Sequence, residues 1–309
     1  MNAALDRPMV PFVVGVLLAA GAALAQDDGE AALAEEEGRD IAFTLTPRLR
    51  YQFDTGLDGA NGDFRVFRGG LSAVADWQAA ERLTLSFALG YEYSNYDFSR
   101  PNAFIAGATS PFEDIHILDL ALTAYAGIDE EWSWFAGVKG RIAGESDVDI
   151  DEAGTIGGVG GLIWDLGDER SIGFGVSAMS QIEDDALILP IINVNWKLTE
   201  QWRFVSVGSM GEFIATIDDH NEIAFGAAWE NRRFRLDDSA PQLAAVIEDT
   251  AVPLFVRYAY KPDESITINL IGGVTLWQEF EVSNRNGLAS RDFDADPSAF
   301  LGLSVNIGF

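Results

Sequence analysis

The sequence predicts an all-β protein, a transmembrane antiparallel up-and-down β-barrel of about fourteen strands, with twelve as the alternative. Three observations predict it. After Asp40, apolar and polar residues alternate with a period of two in segment after segment, the pattern of strands whose two faces meet different media. The connections alternate between short and long, as expected when tight turns gather at one end of a barrel and longer loops at the other. Aromatic residues cluster near strand ends, where amphipathic rings favour the lipid headgroup level.

Bulk composition agrees with that class. A chain of 309 residues with 48% hydrophobic content is long for an ordinary domain but normal for one barrel. Forty-nine acidic residues against 20 basic give a net charge of −29, which excludes nucleic acid as a partner, since phosphates need basic stripes. Cysteine is absent, so disulfides, thiolate zinc sites and a lipid-modified N-terminal Cys are excluded.

Three segments divide the chain. Residues 1–25 read as a signal peptide: Arg7 precedes an apolar run, and Ala23-Leu24-Ala25 offers small residues for cleavage near Ala25. Residues 26–40 form an acidic periplasmic lead-in. Residues 41–309 are the barrel, which places the protein in the bacterial outer membrane after export.

Strands are expected near 41–53, 64–77, 83–94, 115–128, 132–143, 155–166, 171–180, 187–198, 202–208, 211–217, 221–237, 252–260, 265–281 and 298–309. Both termini on the periplasmic side require an even number, so 202–217 is divided at "VGSMG". In 221–237, Ile223, Phe225, Ala227 and Trp229 share one parity while Phe234 and Leu236 take the other; a bulge at "ENR" would restore the alternation. One aromatic girdle, near the short turns, comprises Trp77, Trp132, Trp134, Trp164, Trp196, Trp202, Tyr258, Tyr260 and Phe309. The other, near the long loops, comprises Tyr51, Phe53, Tyr91 and Tyr93.

The last strand alternates Leu301, Leu303, Val305, Ile307 and Phe309 with Gly302, Ser304, Asn306 and Gly308. Its apolar row faces lipid, and the strand must pair with the first to close the barrel. A terminal strand ending in Phe resembles the assembly signal of bacterial outer-membrane barrels, which implies the barrel assembly machinery as a partner. Phe234-Arg235-Leu236-Asp237, Val252-Pro253 and the terminal strands resemble the C-terminal third of an uncharacterised family of porin-like bacterial outer-membrane barrels, a domain of unknown function, over residues 221–309. That resemblance implies fold and location, with no substrate or catalytic residue attached.

Parity also predicts the lining. The candidates are Arg48, Arg50, Arg68, Lys139, Arg141, Arg203 and Arg257, against Glu92, Asp119, Asp165, Glu222, Glu230 and Glu279. Asp76, Lys197 and Lys261 share that parity. Two readings stay open: cross-strand pairing that plugs a narrow barrel, or a water-filled path with ion preference. Inward small residues such as Gly137, Gly157, Gly161, Gly173, Gly175, Ser177 and Gly226 favour internal space. The expected function is accordingly a porin-like channel for passive diffusion of ions or small solutes, at a site in contact with lipid and lipopolysaccharide. The alternative is a closed structural or surface-interaction barrel with acidic loops.

No cofactor is expected. Glu145, Asp147, Asp149, Asp151 and Glu152, and Glu183, Asp184 and Asp185, offer hard oxygens suited to weak divalent-cation binding, but their spacing matches no EF-hand. A lipid-modifying enzyme is the third reading. It would use His116 on the lipid-facing parity, with Ser110 or Ser94 as nucleophile. No GxSxG or HExxH motif accompanies them, and the expectation is that the protein is not an enzyme.

Overall fold

The structure is a computed structural model and describes residues 41–58, 62–100, 111–237, 246–283 and 290–309. Residues 1–40, whose sequence reads as signal peptide and acidic lead-in, lie outside them, as do parts of several long loops.

The strand segments are β1 (Ile41–Leu57), β2 (Gly62–Ala80), β3 (Leu83–Ser99), β4 (Asp114–Gly127), β5 (Trp132–Glu145), β6 (Gly154–Gly167), β7 (Arg170–Gln181) and β8 (Asp184–Lys197). They continue with β9 (Trp202–Val207), β10 (Met210–Asp218), β11 (Asn221–Ala228), β12 (Glu230–Arg235), β13 (Val246–Asp263), β14 (Ile266–Ser283), β15 (Ser290–Ala295) and β16 (Ser298–Gly308). A single helical turn, α1 (Ile150–Ala153), precedes β6. β11 runs on into β12, and β15 into β16, so the segments make a closed antiparallel barrel of 14 strands. β16 pairs with β1, Tyr51 opposite Leu301 and Leu45 opposite Ile307, so the sheet closes without a terminal edge in lipid. β9 and β10 are two strands, as the "VGSMG" division requires, joined by a turn in which Gly208 has φ of 57°.

Through the middle of the barrel the strands' outward rows are apolar and have no protein cover. Leu49, Leu71, Phe87, Leu122, Val138 and Leu270 are all exposed, a continuous apolar surface that only a bilayer solvates. The girdle residues sit at its borders. Trp77, Trp134, Trp164, Trp202, Tyr258, Tyr260, Phe309, Phe53 and Tyr91 are exposed; Trp132, Trp196, Tyr51 and Tyr93 are half-buried. Trp132 stacks on its cross-strand partner Trp164 at 5.6 Å. Trp229 and Trp277, also 5.6 Å apart, add to the upper border.

Two sequence expectations change. The bulge at "ENR" is absent: Ala227 opposes Leu254 and Glu230 opposes Ala251, one unbroken register. Phe234 and Leu236 therefore stay on the inward parity and are fully buried. The bulge lies instead in β14, where Val252 opposes Trp277 but Pro253 opposes Thr275. That extra residue turns Gln278 and Phe280 inward and Glu279 outward.

The most consequential departure from a simple barrel is β12. β11 pairs with β10 only as far as Ala228 opposite Met210, because the β9–β10 hairpin ends there. From Glu230 to Phe234 the strand has no strand partner on that side among the described residues, and it leans across the lumen. Arg235 meets Gly144 of β5 in a parallel bridge, where a Cβ on Gly144 would lie 3.0 Å from the Arg235 carbonyl oxygen. Above mid-height, inward apolar residues of β1–β5 and β12–β15 close into one core that includes Phe64, Tyr96, Phe112, Phe234, Ile247 and Phe280. The strap and this core fill the upper lumen.

Candidate functional site: the lumen and the gap beside β8

The inward charges meet at mid-height, below the apolar core. Arg50 Nη1 donates to Glu230 Oε1 at 2.6 Å, and Arg232 bonds both Glu230 (2.9 Å) and Glu92 (2.8 Å). Arg48 reaches the other Glu92 oxygen at 3.3 Å. Arg68 donates to Asp249 at 2.9 Å, and that carboxylate also accepts from Tyr96 and Gln278 at 2.7 Å each. Arg50, Arg68, Glu92, Glu230, Arg232 and Asp249 are all buried. Burying such groups is tolerable only because partners satisfy them. Around this belt lies a cavity of about 30 Å³, room for a water or two.

Several further lining charges are paired across strands. Arg141 makes a bidentate contact with Asp119 at 2.7 and 3.0 Å, and Arg257 one with Glu212 at 3.2 and 2.6 Å. Nearer the short turns, Arg203 and Lys261 both contact Glu222. Lys139 faces inward, half-buried, on β5. Asp165 lies at the mouth, exposed, and accepts from the Gly167 amide in the β6–β7 turn. Glu279 alone among the thirteen lining candidates leaves the lumen, for the β14 bulge puts it on the outer face beside Asp294 and Thr250.

The inward small residues do not create open space. The ring of Phe135 covers Gly161 and Gly175, within 2.6 and 3.0 Å of where their Cβ atoms would be. Phe255 covers Gly226 in the same way, within 2.5 Å. The glycines seat phenyl rings that lie across neighbouring strands, and the rings anchor two further apolar clusters in the lumen.

The wall, by contrast, has an interruption. β8 pairs with β7 from Met179 opposite Leu187 downward, but its other edge first pairs with β9 at Val194 opposite Ser206. From Asp184 to Asn193 that edge has no strand partner among the described residues. Pro190, which lacks an N–H, sits on this free edge, where such a residue is tolerated. Leu187 and Leu189, on the lumen-side parity, are 40% and 50% exposed; Ile188 and Ile192 on the lipid side are exposed too. The gap is framed below by the β9–β10 turn, where the Gly208 amide donates to Asn193 at 2.9 Å. Above, Arg233 bonds the Ile182 carbonyl at 3.1 Å and Asp184 at 3.1 Å. Arg235 bonds Glu183 and Glu152 at 2.9 Å each.

The acidic loops thus meet the strap: Glu152, Glu183 and Asp184 hold its arginines, and Glu145 accepts from the Asp237 amide. His116 is on the outer face as expected, but its neighbours are Tyr91 at 2.7 Å and Ser146 at 3.0 Å. Ser94 is buried on the inward parity, and Ser110 lies outside the described residues. Sequence reasoning missed Arg232, Glu212, Asp249 and Tyr96. Asp249 fell in a segment read as loop, and the assumed bulge obscured the unbroken inward run Glu230-Arg232-Phe234.

Fold, apolar belt and girdles define an outer-membrane β-barrel protein. Residues 80–309 match the model of a domain of unknown function, DUF6268, and the chain belongs to that family. No curated protein matches it. Among solved structures it is similar in fold to the COG4313 outer membrane channel from Pseudomonas putida F1, at 12% identity over 92% of this chain and 100% of that one, TM-score 0.49. A Pseudomonas aeruginosa FadL homologue is similar at 9% identity, over 86% and 90% of the two chains, TM-score 0.47. The P. putida toluene transporter TodX is similar at 10% identity, over 87% and 89%, TM-score 0.41.

Proposed function

We propose that the protein is an outer-membrane channel that passes small, mainly apolar solutes through the gap beside β8, rather than a water-filled porin. The observation that carries this reading is the interrupted wall, bordered on both faces by Leu187, Leu189, Ile188 and Ile192. A diffusion pore needs a hydrated lumen whose charges face water. Here most of the charges face one another, and phenyl rings seated over glycines fill other parts of the lumen. An apolar solute loses little on leaving water for a leucine-bordered gap open to lipid, whereas an ion loses its hydration. The inward charges then hold the strap in the lumen instead of setting ion preference. The packed lumen equally favours a closed structural barrel, which is the second reading.

Uptake of a small fluorescent aromatic hydrocarbon by vesicles carrying the refolded mature protein separates the two. The channel reading expects uptake well above that of protein-free vesicles, and a return to background in Leu187→Arg/Leu189→Arg. Wild-type uptake equal to protein-free vesicles would favour the structural barrel.

A further inference from the structure

The mid-lumen belt is one cation out of balance. Four guanidinium groups, Arg48, Arg50, Arg68 and Arg232, face three carboxylates, Glu92, Glu230 and Asp249. Arg50, Arg68 and Arg232 are more than nine-tenths buried, and Arg48 is 15% exposed with its Nη1 buried, so water offsets the surplus only in part. Three buried nitrogens in the belt also lack a hydrogen-bond partner among the described residues: Arg48 Nη1, Arg50 Nε and Arg68 Nε. All three residues line the same cavity of about 30 Å³, together with Arg232 and the carboxylate residues Glu92 and Glu230, whose charges Arg232, Arg50 and Arg48 already engage. Orphaned buried donors are uncommon in native proteins, and a bound water or ion is one way to satisfy them; here three converge on one cavity. A water would satisfy donors but leave the charge uncompensated, whereas a small anion does both.

We propose that this cavity binds one small monovalent anion of halide size, held by Arg48, Arg50 and Arg68. The site completes the belt that fixes β12 across the lumen, and it stands independently of how solutes cross. Gly70 belongs to the design: a Cβ there would fall 2.7 Å from Arg48 Nε, so a larger residue would push the guanidinium out of place.

The test is anomalous diffraction from crystals of the mature chain grown in chloride and exchanged into bromide, with thermal unfolding in sodium chloride and sodium gluconate at equal ionic strength. The expected result is one bromide peak within hydrogen-bond reach of Arg48, Arg50 and Arg68, with a higher midpoint in chloride than in gluconate. Arg48→Gln removes the surplus charge and should lose both effects; Arg68→Gln serves if that variant does not fold. A cavity with no anomalous peak in the wild type would overturn the proposal. So would a peak that persists undiminished in the variant, which would mark an adventitious ion.

Discussion

The β1–β3 side of the barrel and the β6–β8 side follow the same outward pattern but are completed differently within. On the first, the inward row carries Arg48, Arg50, Arg68 and Glu92, and the strap β12 comes across to meet it with Glu230 and Arg232. On the second, the upper inward row is small or apolar, with Gly161 and Gly175 below and Gly157, Leu187 and Leu189 above. The strap bends to β5 and only its arginines reach the top of β8, at Ile182, Glu183 and Asp184, so Leu187 and Leu189 beneath them stay exposed. One displacement therefore closes the lumen and opens the wall. The lumen's charged residues are structural partners of the strap, and the exposed inner leucines are what the strap leaves behind.

The comparison is broken most severely at the belt. Glu230→Ala leaves Arg50 and Arg232 without their shared carboxylate, and loss of one partner from a buried ion pair costs about 3–5 kcal/mol. Urea unfolding from lipid vesicles should show that loss; a change under about 1 kcal/mol would mean the belt is hydrated. A smaller effect is expected where strap and β8 meet. Arg233→Ala/Arg235→Ala should cost on the order of 1–2 kcal/mol, since the partner carboxylates are partly solvated, yet should raise solute uptake by widening the gap. Reduced uptake would show that the clamps hold the path open instead. The smallest effect is at Glu279. It opposes Asp294 across the strands, with Glu281 opposite Asp292 nearby, and like charges in that position repel. Glu279→Gln should stabilise by roughly 0.5 kcal/mol or less at low ionic strength, and the gain should vanish in high salt; a loss of stability would indicate a favourable role for the carboxylate.

Much of the wall was legible because lipid imposes a strict rule. Outward residues within the bilayer must be apolar, so period two gave the strands and the closure of β16 on β1, while the need for an even number turned the count into fourteen with twelve as the alternative. The interior obeys no such rule. Parity placed Arg50, Glu92 and Arg257 inside, but it could not show that they pair with residues far along the chain, such as Glu230, Arg232 and Glu212. Glycines at 161, 175 and 226 suggested space, since a sequence does not reveal which ring lies over them. The parity change at Phe234 was read as a bulge because an apolar residue was assumed to face lipid. It faces an apolar core instead, and the strap became visible only when the register was known. The true bulge, at Leu276–Trp277, left Glu279 on the wrong side of the expected wall.

The central claim is that the lumen is shut to ions while the wall is open beside β8. Single-channel recording of the refolded mature protein in a planar bilayer tests the first half most directly. The account predicts a folded barrel that inserts and stays electrically silent in potassium chloride. Stable conductance steps with a defined reversal potential would contradict it, and would return the inward charges to the role of a pore lining.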